Sequence, residues 1–242
     1  MCPIYKSGAK NEFINYGPIS ILPSFSKIYE KIISNRILSY VEKYGILAKS
    51  QFGFRKKHST YMAMMQLYDK VSEAIDKNEF CVGIFIDLSK AFDTINHDIL
   101  LQKLYTYGIR GIPNLLIKNY LENRKQFVDY KNCQSNMNDI TCGVPQGSIL
   151  GPLLFLLYIN DMSKISKLLY FILFADDTNI LYSNRDIWQL MNIVNSELKN
   201  LSDWFKANKL SLNIKKPIIC YLQVTEKFRL LIKSMYLRFK LR

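Results

Sequence analysis

Apolar residues recur at helical spacing over residues 24–43 (Phe25, Ile28, Ile32, Ile33, Leu38, Val41), which predicts an amphipathic helix capped by Ser24 or Ser26. A second helix is predicted over 59–78. Residues 80–86 then form a compact apolar run that reads as a strand delivering Asp87 at its end. Helices are expected at 96–108 and 112–121, and a polar hairpin over 123–144 with arms at 126–130 and 137–142. "GVPQGSILGPLLFLLYIND" starts as a Gly/Pro loop and continues as an apolar helix ending near Asn160. "LLYFILFADDTNILY" reads as strand, tight turn at Asp176–Asp177, and returning strand at 178–182. The series Ile187, Leu190, Met191, Val194, Leu198, Leu201, Phe205 marks another amphipathic helix, followed by a short strand at "LSLNI". The order favours an α+β fold with helices on a sheet face.

Two adjacent carboxylates inside an apolar run change this picture. An unpaired carboxylate is expensive to bury and two neighbours repel, so a bound cation is the economical way to keep both ionised. If the strand ending at Asp87 neighbours the Asp176–Asp177 turn in an antiparallel sheet, three carboxylates converge. Hard oxygen donors of this kind favour Mg²⁺, with Mn²⁺ as a substitute, and a site for phosphoryl or nucleotidyl transfer by two metal ions. In a regular strand, side chains 176 and 177 point to opposite faces, so only the turn lets them share a site. The alternative reading of a lone acidic pair is a solvated turn, and of Asp87 a helix cap.

Charge sharpens the argument. The chain carries +13, with ten Lys/Arg against three acids in residues 1–60, eleven against thirteen in 61–180, and twelve against four in 181–242. An acidic centre between basic ends suits a polyanion held over a cation site. With 49% hydrophobic residues the chain reads as globular rather than disordered. The five cysteines show no CxxC pair, and with two histidines a zinc centre is not expected. A reduced, intracellular protein is therefore expected, without signal peptide or membrane span, since the apolar stretch 149–159 is too short for a bilayer and is broken by Gly151 and Pro152.

Taken together, "FIDLSKAFDTINHDILL", "GVPQGSILGPLLFLLYIND" and "FADDTNIL", in this order and spacing, closely resemble the palm motifs of reverse transcriptases from non-LTR (LINE-type, jockey-like) retrotransposons. "PIYKSG", "SKIYEKIISNRI", "QFGFRKKHST" and "WFKANKLSLNIKK" extend the likeness from about Pro3 to Lys216. The resemblance implies a right-hand polymerase with fingers (1–79) and palm (80–216, part of 100–140 belonging to the fingers), an antiparallel palm sheet packed on helices, and a divergent basic tail at 217–242.

It further implies that Asp87, Asp176 and Asp177 hold two Mg²⁺ ions, aided by the Leu88 backbone carbonyl. Phe92 would be the steric gate that selects dNTPs, its ring clashing with a ribose 2′-OH. Gln146 and Gly147 would lie near the nascent base pair, and Lys6 with Lys215 or Lys216 near triphosphate, the later lysine as general acid for pyrophosphate. Phe54, Arg55, Lys56 and Lys57 would contact the template by stacking and phosphate pairing. The implied partners are an RNA or DNA template with primer, and dNTPs. No membrane and no obligate protein partner is expected, and a nuclear or nucleocytoplasmic location follows.

Two departures from the family pattern qualify these expectations. Gly17 stands where the family usually has a triphosphate-clamping arginine, which predicts weaker nucleotide binding, with Lys10 as a partial substitute. After Pro217 the sequence matches no thumb, and its apolar spacing allows a basic amphipathic helix. A catalytically impaired remnant that only binds nucleic acid is therefore the alternative. A phosphoacceptor signalling domain fits less well, because its acidic pair precedes its acceptor aspartate, the reverse of the order here.

Overall fold

The computed structural model describes residues 1–130 and 133–213, together with the backbone of 218–222 and 233–234. In chain order the elements are β1 (Cys2–Tyr5), β2 (Tyr16–Ile19), α1 (Ser24–Lys43), α2 (Thr60–Asp76), β3 (Phe80–Asp87), α3 (His97–Thr106), α4 (Ile112–Leu121), β4 (Lys125–Gln126), β5 (Asp129–Tyr130), β6 (Cys133–Gln134), β7 (Asn138–Asp139), α5 (Gly151–Ile159), β8 (Tyr170–Phe174), β9 (Asp177–Asn184), α6 (Ile187–Ala207), β10 (Ile218–Leu222) and β11 (Lys233–Ser234). No helix among the described residues is long and apolar enough to cross a membrane.

The chain forms two compact units, each built from two separate stretches: Met1–Leu47 with Phe92–Ile159, and Ala48–Ala91 with Asn160–Arg242. In the first unit, β1 and β2 pair antiparallel, and α3 packs on both α4 and α5. Helix α5 is buried along its whole length, which explains why its sequence shows no polar face. The predicted hairpin exists as two short ladders, β4–β7 and β5–β6. Between them the Met1 ammonium donates to the Phe127 carbonyl at 2.6 Å and the Asp129 amide to the Met1 carbonyl at 3.0 Å.

The second unit holds a five-stranded sheet in the order β11–β10–β3–β9–β8, with neighbouring strands antiparallel. Along β3, β9 and β8 one face carries Val82, Ile84, Ile86, Thr178, Ile180, Phe171 and Leu173, all buried. The opposite face carries Cys81, Leu181, Ile172, Tyr170 and Phe174, which cluster with Ala63, Leu67, Val71 and Ala74 of α2. Helix α6 packs against β9, burying Leu190, Val194, Leu198, Leu201 and Phe205, each worth roughly 1.5–3 kcal/mol.

Several boundaries follow local capping chemistry. Ser59 accepts from the Met62 amide at 3.3 Å, Asn96 from Ile99 at 3.0 Å, and Asp186 from Trp188 at 2.7 Å. The expected serine cap of α1 is not formed: Ser24 is the first helical residue, behind Pro23, and no side chain caps that end. "LSLNI" contributes a single antiparallel bridge, Leu212 to Leu88, among its described residues. Residues 218–222 are a strand paired with β3, not part of the helix that the tail's apolar spacing also allows. A five-residue apolar run fits either state, and the open edge of β3 decides between them.

Candidate active site

Strands β3 and β9 are antiparallel neighbours, and their register sets Asp87 directly opposite Asp177. Asp87 directs its carbonyl to the Asn213 amide, at 2.9 Å on the other side of β3. By strand alternation, Asp87 and Asp177 are then a pair without ladder bonds to each other, the kind whose Cα atoms lie about 4.5 Å apart with side chains on one face. They stand in one row with Phe174, which packs at the edge of the α2 cluster, at the turn end of the strands. The two carboxylates therefore meet where the sheet face opens: Asp177 is exposed and Asp87 half-buried. This corrects the premise that the acidic pair sits where burial is most expensive. The adjoining Thr178 points to the other face and is fully buried.

Asp176 is the second residue of the two-residue turn joining β8 and β9, and Ala175, the first, has φ +56°. Positive φ at the first central position is the II′ pattern, which favours glycine; a Cβ-bearing residue there carries strain on the order of 1–3 kcal/mol. The Asn213 side chain donates from Nδ2 to Oδ2 of Asp87 at 3.0 Å, orienting that carboxylate. One residue beyond Asp87, alternation turns the Leu88 carbonyl toward the β9 side, in keeping with its bridge to Leu212.

Hard oxygens on two facing carboxylates, with a third one residue away, fit a Mg²⁺ or Mn²⁺ ion, which takes one or two protein carboxylates and completes its shell with water and phosphate. Among the described residues no three His, Cys, Asp or Glu side chains already form a metal-holding group. The register sets Asp87 and Asp177 opposite each other with Asp176 in the adjoining turn, while the three-carboxylate cluster expected from sequence is not formed among the described residues. Mutual repulsion of three carboxylates opposes a closer cluster built by protein alone.

The other sequence-predicted residues divide between the units. In the first unit, the half-buried Phe92 ring stacks on Phe155 with centroids 4.7 Å apart, and its carbonyl accepts from Val144 at 2.8 Å. Gln146 donates from Nε2 to both Asp93 oxygens at 3.1 Å. Gly143 at φ +84° presses on Asp93, whose carbonyl oxygen would be 2.7 Å from a Cβ, so the "GVPQGS" loop is fastened to the segment just after Phe92. Gly147 is exposed and lies beside the Ser20 carbonyl. The Lys6 side chain runs across buried Gly17, where its Cε would overlap any Cβ. Lys6, rather than Lys10, is therefore the cation next to the position that lacks an arginine; Lys10 lies over the Tyr5 ring.

In the second unit Phe54, Lys56 and Lys57 are exposed. Arg55 donates from Nη1 to the Ala48 carbonyl at 3.0 Å and the Gln51 carbonyl at 3.1 Å, so its guanidinium braces its own loop. Lys215 and Lys216 lie outside the described residues. Sequence reasoning missed Gln51, Asp93 and Asn213, and also Glu30 of α1. Fully buried Glu30 accepts from the Ile149 amide at 2.7 Å, the Leu150 amide at 3.4 Å and the Tyr120 hydroxyl at 3.1 Å, tying α1 to the segment leading into α5. Burial pushes the Tyr120 phenol up to about 12.

Comparison with known proteins places the chain in a family. Residues 6–232 match the family model described as reverse transcriptase (RNA-dependent DNA polymerase). The chain belongs to the reverse transcriptase family. The matched span takes in β10. This reverse transcriptase chain is 35% identical over 218 residues to the probable RNA-directed DNA polymerase from transposon X-element of Drosophila melanogaster, covering 88% of the chain and 24% of that protein. It is 31% identical over 224 residues to the RNA-directed DNA polymerase from mobile element jockey of the same species, again covering 88% and 24%. The chain thus spans about a quarter of the length of these relatives. Among solved structures, apo telomerase from Candida tropicalis superimposes with a TM-score of 0.60 at 12% identity, covering 86% of the chain and 43% of that one, a likeness of fold.

Proposed function

We propose that this chain is the RNA-directed DNA polymerase portion of a retrotransposon protein, adding dNTPs to a primer 3′-OH on an RNA or DNA template. The observation that carries the proposal is the register setting Asp87 opposite Asp177, beside a turn that bears Asp176, in a chain of this family. Asp87, Asp177 and Asp176, with the Leu88 carbonyl, are the ligands for two divalent ions, Mg²⁺ or Mn²⁺. When bound, such ions supply charge stabilisation to the attacking and leaving oxygens of an in-line displacement. Asn213 keeps the Asp87 carboxylate oriented. The sheet bearing the aspartates is the palm of this proposal.

Phe92 is the sugar-selecting ring, and its packing on Phe155 would fix the ring plane. Gln146 and Gly147 shape the floor for the nascent pair. Lys6, lying over Gly17, offers a point charge to triphosphate, as do Lys215 or Lys216. Phe54, Lys56 and Lys57 present stacking surface and charge to the template strand, with Arg55 holding their loop.

The alternative, nucleic-acid binding without extension, draws its support from Gly17, since a lysine lacks the planar fork of arginine. Mg²⁺-dependent dNTP incorporation on an oligo-primed RNA template separates the two. The proposal predicts extension that Asp87→Asn and Asp176→Asn each lower by about 10²–10³-fold or more while template binding persists. Template binding with no extension in the unaltered chain leaves only the alternative.

A further inference from the structure

We propose that Gln51 is a positioning residue that holds the Ala175–Asp176 turn, and through it the aspartates, in working geometry. The inference rests on the polymerase reading of the aspartates and adds a residue outside the palm motifs to it. Gln51 is 2% exposed. Its Oε1 accepts two backbone amides, Gly53 at 2.8 Å and Ala175 at 3.2 Å, the second belonging to the strained turn residue 124 positions away. The segment carrying Gln51 is laid along β8: Leu173 donates to the Ser50 carbonyl at 2.8 Å, Phe52 donates to the Leu173 carbonyl at 2.7 Å, and Gln51 bridges Leu173 in parallel. Arg55 grips the Gln51 carbonyl from behind.

Two further observations make this a clamp and not incidental packing. A Cβ at Gly53 would overlap the Ala175 amide nitrogen, so only glycine lets the segment press on the turn backbone. The Gln51 Nε2 group is buried with no hydrogen-bond partner, a destabilising feature that a purely structural position would not favour. What the side chain contributes is its oxygen, delivered to the amide of a residue at φ +56°. Without that acceptor the Ala175 amide is buried unpaired and the turn relaxes toward negative φ, which swings Asp176 and alters the Asp177 row.

Three measurements on the full chain test this: backbone amide hydrogen exchange, thermal unfolding, and primer extension as a function of Mg²⁺ and dNTP concentration. In Gln51→Leu, exchange at Ala175 should accelerate by about tenfold or more while amides in mid-β3 hold their protection. Turnover should fall by roughly 10–100-fold and the Mg²⁺ midpoint rise, with KM for dNTP little changed. Adding Ala175→Gly to that variant should recover part of the turnover, because glycine adopts positive φ without penalty. A role in packing alone would not respond to that second change. If Gln51→Leu does not fold, Gly53→Ala, which displaces the same turn from the other contact, should show the same accelerated exchange and raised Mg²⁺ midpoint.

Unchanged Ala175 exchange in a folded variant overturns the clamp, whatever the polymerase result. Faster exchange with unaltered turnover and Mg²⁺ midpoint overturns the positioning role and leaves the polymerase reading standing. Wild-type extension that survives Asp177→Asn removes that reading, and this inference with it.

Discussion

Glu30 and the Asp87–Asp177 pair are both carboxylate arrangements at the ends of secondary structure, and they are built to opposite ends. Glu30 is wholly buried and takes two backbone amides and a tyrosine hydroxyl, leaving its charge answered by fixed donors. Asp87 and Asp177 are opposed across two strands at the open end of a sheet face, Asp177 exposed and Asp87 oriented by Asn213. The first arrangement stabilises the fold as it stands. In the second, two carboxylates face each other across neighbouring strands, an arrangement with the hard oxygens that a divalent cation takes. The contrast sets a carboxylate that serves structure beside a pair to which the polymerase proposal gives the chemistry.

The largest effect expected from breaking this contrast is on turnover. Asp87→Asn should lower primer extension by about 10²–10³-fold, the order seen when a charge-stabilising group is removed from an active site. Its folding stability should change by no more than about 1 kcal/mol, relief of repulsion and the loss of a charged acceptor for Asn213 opposing each other. Denaturant unfolding and extension assays on one preparation check both halves. The opposite outcome is expected at Glu30. Glu30→Leu strands three donors and should lose about 3 kcal/mol or more by denaturant midpoint, with Glu30→Gln losing less.

Tyr120 gives a smaller, pH-dependent effect. Folded, it holds its proton to about 12 because it is buried, whereas the unfolded chain releases it near 10. Its contribution is therefore complete below pH 10 and lost as pH rises from 10 to 12. Tyr120→Phe should cost about 1 kcal/mol at neutral pH, and the gap to wild type should close across that alkaline window in urea titrations. The smallest effect lies on exposed α2, where hydrogen bonds from Lys70 and Lys77 hold Glu73 at about 2 against an ordinary 4.5. That stability is present above pH 4.5 and lost as pH falls toward 2. Glu73→Gln should flatten a slight acid-side slope in thermal melts, and the slope should shrink with added salt.

What could be read from sequence was what local chemistry decides. The apolar run ending in Asp87, the helices over 59–78 and 96–108, and the stripe of α6 all depend on neighbours within a few positions, whereas the cap expected at Ser24 or Ser26 is not formed. The family motifs located the aspartates, and the β3–β9 register then set two of them opposite each other. Hidden from sequence were contacts closed by tertiary structure alone: Gln51 to Ala175 across 124 positions, Asn213 to Asp87 across 126, and Glu30 to Ile149 across 119. Glu30 looks like any polar residue of an amphipathic helix until the segment before α5 arrives. "IICYL" is ambiguous until β3 offers an edge.

The most direct test of the central claim is Mn²⁺ binding followed by paramagnetic broadening of backbone amide resonances. The account predicts that sub-stoichiometric Mn²⁺ selectively broadens residues 87–88 and 175–178, and that the double variant Asp87→Asn with Asp177→Asn loses the effect while keeping a native spectrum. Broadening centred elsewhere, or persisting at the same Mn²⁺ concentration in the double variant, would contradict it.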